Sequence, residues 1–291
     1  MFPRRIALAI IGAVLILGAG AMPVAAAKPT RATPTIERPL TAEEKAASDR
    51  KVAAARAYLA SPSARSAERA TLDCVTPNGV VQSTDSAPAG GCEIPQGFLN
   101  VSARDQTRGH YCGPAVGQVI ANYTWAVQAD QNKYTQRQIA AWMQTDANGG
   151  TSAHTMEDGL EVATAGAPRR PANWDWVVTY LRDTNGSGGV GDEFFDFVRA
   201  NVSGSRMPLA IPVKPHEPGG RFHLESWPQP VESPGHWIAV YGWMGLYDGT
   251  NSSQVFYTDS SEDEGGSTGK FADPMRHVAG MIRDHTGRFV W

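Results

Sequence analysis

The apolar pattern of this chain changes its period once, and that change limits the fold more than any other feature. From Cys112 to Val202 apolar residues recur at helical spacing, which predicts helices over 112–127, 136–145 after Thr135, 155–165, 174–183 after Asn173, and 191–202. From Met207 onward the period is two, which predicts strands over 209–213, 237–243, 255–258, 278–282 and 288–291. Helices first and strands afterwards make an α+β fold and argue against alternating units around a parallel sheet. No internal repeat of about 20 to 50 residues competes with this reading.

The periodic region is preceded by about a hundred residues of different character. Residues 1–27 begin with Arg4 and Arg5, continue as an apolar run from Ile6 to Met22, and end in small residues. This is the layout of a secretory signal, so export from the cytoplasm is expected, with cleavage after Ala27. Later stretches are too short and too polar to span a bilayer, and no membrane association is expected after cleavage. Residues 28–70 are rich in Ala, Pro, Thr and Arg. The Thr41-Ala-Glu-Glu44 capping box and the recurrence of Val52, Ala55 and Leu59 predict one helix there, ending near Ala60, with Ser48 interrupting its apolar face. That segment is a weakly docked helix, a spacer or a propeptide.

Three cysteines follow, and their number matters in an exported protein. Within residues 71–99, Cys74 and Cys92 flank a segment where Pro77-Asn78-Gly79 and Gly90-Gly91 mark turns, and the two are expected to close this loop as a disulfide. Such a closure adds about 3 kcal/mol in the chain-entropy view. Cys112 is then left over, as a buried hydrophobe, an intermolecular disulfide or a reactive thiol.

Its neighbours favour the reactive thiol. Gly113-Pro114-Ala115 and then Val116, Val119 and Ile120 put Cys112 where a loop becomes a helix. Unpaired N–H groups at a helix start stabilise thiolate over thiol. A thiolate nucleophile needs a base, a group to orient that base, and donors for the oxyanion. His236 opens the strand His-Trp-Ile-Ala-Val-Tyr, and Asp259 closes the next one, Val-Phe-Tyr-Thr-Asp. Between them Tyr247-Asp248-Gly249-Thr250 reads as a hairpin turn, and pairing Tyr247 with Thr250 makes His236 and Asp259 diagonal neighbours on one face. Gln106, six residues before Cys112, offers a side-chain amide that could share the oxyanion with the Cys112 N–H.

Gln106, the Tyr111-Cys112-Gly113-Pro114-Ala115 stretch, Gly235-His236-Trp237 and Asp259 resemble papain-fold cysteine peptidases, in particular the branch of bacteriocin-processing, double-glycine peptidases. The resemblance covers roughly residues 100–262. It implies Cys112 as nucleophile, His236 as general base and later acid, Asp259 as orienter of the imidazole and Gln106 as oxyanion donor. It also implies a catalytic domain over 100–291, with helices on one side of a cleft and an antiparallel sheet on the other. The chain departs from the papain and cathepsin signature at Gly109, where those enzymes carry a second cysteine. It also combines an export signal with no transporter segments, so double-glycine specificity does not transfer.

Other features point to simpler roles. A net charge of −3 gives no basic field for nucleic acid. His110, His154, His216, His277 and His285 lack zinc-motif spacing and read as loop or surface residues, and neither a metal nor a cofactor is expected. His223 is a weaker rival to His236, and Asp248 and Asp263 to Asp259. Gly186-Ser-Gly188-Gly-Val-Gly191 matches a dinucleotide-binding pattern but follows a predicted helix, so it reads as a connector. The acidic run at Glu262-Asp263-Glu264 reads as a solvated face. The Pro- and Gly-rich stretch 212–234, leading into His236, is expected to line substrate. The expectation is a monomeric, exported cysteine hydrolase acting on a peptide or protein, cell-envelope material included. The alternatives are an envelope amidase or acyltransferase using the same residues, or an inactive secreted binding module.

Overall fold

The computed structural model describes residues 37–62, 64, 95–181, 189–216, 218–233, 235–245, 252–261 and 266–291. The expected signal segment, the Cys74–Cys92 pairing, Asp248, Asp263 and the acidic run at 262–264 lie outside those residues.

The described chain combines helices with one antiparallel sheet. The helices are α1 (Ala42–Leu59), α2 (Cys112–Thr124), α3 (Gln136–Trp142), α4 (Ala153–Thr164), α5 (Gly189–Arg199) and α6 (Met275–His285). The strands are β1 (Gln96–Phe98), β2 (Val178–Tyr180), β3 (Leu209–Val213), β4 (His236–Met244), β5 (Gln254–Asp259), β6 (Gly269–Pro274) and β7 (Arg288–Val290). Their order is β2-β7-β3-β4-β5-β6, with β1 pairing to the last three residues of β4.

Local chemistry explains most of these elements. Thr41, Thr135 and Ser152 each cap a helix and exchange bonds with the residue three positions on, which satisfies donors the first turn would leave open. α2 has every residue from Gly113 to Thr124 buried, because it lies between α3 and α4 on one side and β4 on the other. β3 is buried at all five positions and β4 at its first eight, so both read as continuous apolar runs rather than alternating ones.

Two expected elements change type. Residues 174–181 of the expected 174–183 helix are not helical: Trp174, Trp176, Val177 and Val178 are bulky or β-branched, and Val178–Tyr180 pairs antiparallel with Arg288–Val290. The expected strand 278–282 lies inside α6, where Met275, Val278, Ala279 and Ile282 bury one helical stripe and Pro274 ends the preceding strand. The glycine motif therefore comes after a strand and runs into α5, contrary to the helix-first reading. However, β2 is held antiparallel to β7, which is not the parallel crossover a dinucleotide requires.

The helix over 42–59 is part of this unit. Ser48, expected to break its apolar face, is buried against β2 and shares a 2.8 Å hydrogen bond with Thr179. Lys51 Nζ donates to the main-chain oxygens of Asp175 (2.6 Å) and Trp291 and lies 3.5 Å from the centre of the Trp174 ring. Ahead of the helix, Glu37 takes a 2.7 Å bond from the Ala153 N–H, at the start of α4, and a 2.9 Å bond from Arg288.

Candidate active site

Cys112 is the first residue of α2, and it follows Tyr111, whose side chain makes no capping bond. The sulfur is half-buried and accepts from the backbone N–H groups of Gly113 and Trp237. Thr151 packs so closely that a Cβ on Gly113 would come within 2.4 Å of its Oγ1, and Thr151 O accepts a 2.9 Å bond from the Trp237 indole. The helix start, the loop before α4 and the beginning of β4 therefore meet at the sulfur.

His236 is the first residue of β4 and Asp259 the last of β5. Ala239 lies opposite Thr258 and Val240 opposite Tyr257, the register that extrapolates from a Tyr247–Thr250 pair. Nearer the loop the register is shifted by one, with Gly242 opposite Phe256 and a bulge at Tyr241 between the two regimes. His236 and Asp259 are thereby diagonal neighbours, and His236 Nε2 sits 2.7 Å from Asp259 Oδ1. The other ring nitrogen, Nδ1, is the one left for the hydrogen bond that joins His236 to Cys112.

Burial alone would raise the Cys112 thiol pKa and lower that of the imidazole. Partners reverse both shifts. The hydrogen bond and charge of His236, with the two backbone N–H groups, pull the thiol below its usual range. The charge and hydrogen bond of Asp259, together with Cys112, push His236 up to about 10. Burial likewise works against ionising Asp259, and His236, Ser226 and the Ser261 N–H outweigh it and hold the carboxyl below its usual value. Both shifts favour moving the proton from sulfur to imidazole, toward a thiolate–imidazolium pair beside the Asp259 carboxylate.

Asp259 is 1 % exposed and accepts four bonds. Oδ1 takes His236 and the Ser261 N–H at 3.0 Å; Oδ2 takes Ser226 Oγ at 2.7 Å and the Trp227 indole at 2.9 Å. The Trp227 ring also lies 5.1 Å from the His236 ring, tilted, shielding the His–Asp bond. Ser226 continues inward to Tyr257 OH at 3.3 Å, which donates to Asp273 Oδ2 at 2.7 Å. Ser226 and Trp227 belong to the 212–234 stretch, expected to line substrate. Instead Leu224, Ser226 and Trp227 fold inward and are buried. Nothing in their spacing singled them out; the only signal was a long loop leading straight into His236.

Gln106 sits in a loop tied to the same strand end, since its N–H donates to Ser260 O at 2.9 Å. Its amide nitrogen donates to Gly109 O at 3.2 Å, which leaves a second N–H for another acceptor. Gln136, the first residue of α3, braces this loop. It takes bonds from Thr107 N and Oγ1 and donates to Asp105 O and to Gln118 of α2.

The remaining candidates are placed elsewhere. His223 is exposed and stacks on His216 at 4.6 Å, and His216 Nδ1 bonds Trp227 O at 2.7 Å. His110 packs edge-on against Tyr111, and His277 stacks on Phe222. His285 lies over Gly235, whose φ of 143° and 2.5 Å clearance leave no room for a side chain just before His236. His154, expected at the surface, is buried in the first turn of α4.

No family model matches the chain, and no curated protein matches it. Among solved structures, it is similar to the peptidase domain of Streptococcus ComA, a bi-functional ABC transporter involved in a quorum sensing pathway. That similarity spans 66% of this chain and 97% of that domain, at 14% sequence identity and a TM-score of 0.36.

Proposed function

We propose that this chain is an exported, papain-like cysteine hydrolase that cleaves peptide bonds, with Cys112, His236 and Asp259 as a triad and Gln106 in the oxyanion hole. The observation that carries this reading is His236, which holds hydrogen bonds to Cys112 and Asp259 at once. The proposed cycle begins with attack of the Cys112 thiolate on the scissile carbonyl carbon. The resulting oxyanion is received by the Cys112 N–H and the free N–H of the Gln106 amide. As the tetrahedral adduct collapses, the C–N bond breaks, the His236 imidazolium gives its proton to the leaving amine, and a thioester remains on Cys112. His236, now neutral, takes a proton from water, and the hydroxide attacks the thioester. Expulsion of the thiolate restores the starting pair, with Asp259 fixing the ring throughout.

Export rests on the signal-like layout of residues 1–27. A peptide or protein, including envelope peptides, is the proposed substrate.

Iodoacetamide labelling of the folded, non-reduced protein, mapped by mass spectrometry across pH for wild type and His236→Ala, tests this directly. Cys112 should label with an apparent pKa well below ~8.5, and His236→Ala should raise it. An inert Cys112, or one that labels as a free thiol regardless of His236, would leave a secreted binding module in its place. Adding an amine acceptor during turnover separates hydrolysis from acyl transfer.

A further inference from the structure

Away from the triad, Glu44 of α1 meets His154 and Glu157 of α4. His154 Nδ1 lies 3.6 Å from Glu44 Oε1 and 4.0 Å from Glu157 Oε2, and one ligand atom from each residue falls within 4.8 Å of the others. The His154 side chain is 9% exposed, and among the described residues its Nδ1 has no hydrogen-bond partner. Its other nitrogen, Nε2, stands 3.1 Å from Arg38 O, and only an N–H there satisfies a main-chain oxygen. In the neutral ring that bond leaves the lone pair on Nδ1, aimed at two carboxylates. A proton on Nδ1 or a bound cation would reconcile the three facing groups, and Glu44 Oε1 also carries the Arg38 guanidinium.

We propose that Glu44, His154 and Glu157 form a binding site for a divalent transition-metal cation of the zinc type, which clasps the start of α1 to the first turn of α4.

The separations suit a metal better than direct hydrogen bonds. Both exceed the ~2.7–3.2 Å of an N–H···O bond. Ligands about 2.0–2.2 Å from a tetrahedral zinc stand roughly 3.3–3.6 Å apart, so closing the cluster shortens any one separation by at most about 1.5 Å. One imidazole nitrogen with two carboxylate oxygens is a zinc-type donor set and a poor one for calcium or magnesium. The outer partners also fit. Arg38 O fixes the imidazole, while the Arg38 guanidinium and the Thr41 N–H hold the Glu44 carboxylate at the helix cap. His154 and Glu157 are three apart on one helix face, and the capping box presents Glu44 to them.

The test is zinc titration by calorimetry, with bound metal counted by mass spectrometry. The protein carries Cys112→Ala, so that the thiolate and His236 cannot compete for the metal and the result is independent of catalysis. One zinc per chain should bind and raise the melting temperature, and Glu157→Gln and His154→Gln should each weaken binding by at least ~10-fold. Glu157→Gln is nearly isosteric and partly exposed, so it remains informative if His154→Gln fails to fold. Equal zinc binding by parent and Glu157→Gln would overturn the site. So would an absence of zinc binding by the parent.

Discussion

His236 at the start of β4 and Lys51 on α1 are both bases shielded from water, and their proton affinities move in opposite directions. Burial disfavours the charged form of each. His236 has Asp259 at 2.7 Å and Cys112 on its other nitrogen, and their charges carry it up to about 10. Lys51 is offered main-chain oxygens and the face of Trp174, with Glu161 and Asp175 acting only at longer range, and it falls well below its ordinary value. Burial outweighs the oxygens and ring offered to Lys51, whereas the Asp259 carboxylate in hydrogen-bond contact outweighs the burial of His236.

The two sites also couple differently to pH. Lys51 is depressed in the fold, so the unfolded chain binds more protons between its folded and ordinary pKa values, and stability rises with pH across that window. For His236 the contribution is present below its ordinary pKa of 6.5 and is lost as pH rises toward about 10. Cys112, shifted down, acts in the reverse sense over much of the same range. The two shifts therefore oppose one another in their effect on stability. The acid limit comes from Asp259, whose contribution is present above its ordinary 3.8 and is lost as pH falls through its lowered folded value.

The most severe way to break this contrast is Cys112→Ala. It should remove hydrolysis by about 10⁴-fold or more and let His236 titrate closer to an ordinary imidazole, read from its ring resonances by NMR. A proton affinity at His236 that does not change would mean the thiolate adds nothing to the pair. Asp259→Asn should lower kcat by roughly 10³- to 10⁴-fold and shift the alkylation midpoint of Cys112 upward, because the imidazolium loses its counter-charge.

Ser226→Ala sharpens the comparison by removing one of the four bonds to Asp259 while keeping the triad. A hydrogen bond to a buried charge is worth about 1.5–3 kcal/mol, so kcat should fall about 10-fold and the thiolate midpoint should rise by a few tenths of a unit. A loss of thermal stability with an unmoved pH profile would make Ser226 merely structural. Lys51→Met, the mildest change, should leave turnover within about twofold and alter stability by about 1 kcal/mol. It should also flatten the rise in melting temperature from pH 8 to 10, and an identical slope in the variant would show that Lys51 is not the depressed group.

How much of this was legible in the sequence follows from the range of the interactions. Cys112 and Pro114 mark a helix start within a few residues, and His236 and Asp259 mark two strand ends joined by one short connection, so local patterns sufficed to nominate them. Gln106 could be nominated by its proximity to Cys112, but the Ser260 and Gln136 bonds that hold its loop are long-range. The 174–183 and 278–282 readings failed where short apolar runs fit either period, and pairing with β7 or packing beneath β3 decided between them. The α1–α4 cluster was hidden for a further reason. Glu44 and His154 lie far apart in the chain, and the His-x-x-Glu spacing on α4 is not a zinc motif that stands alone.

The β4–β5 pair has one more consequence. His236 and Asp259 occupy one end of this hairpin, and the connection from 245 to 253 leaves from the other, beyond the bulge and the β1 pairing. The bulge and the pairing with β3 fix the register beside His236 without relying on the length of that connection. For a protein engineer this separates handle from blade: a fluorophore, affinity tag or immobilising graft belongs in the connection, which joins the hairpin at the end opposite His236 and Asp259.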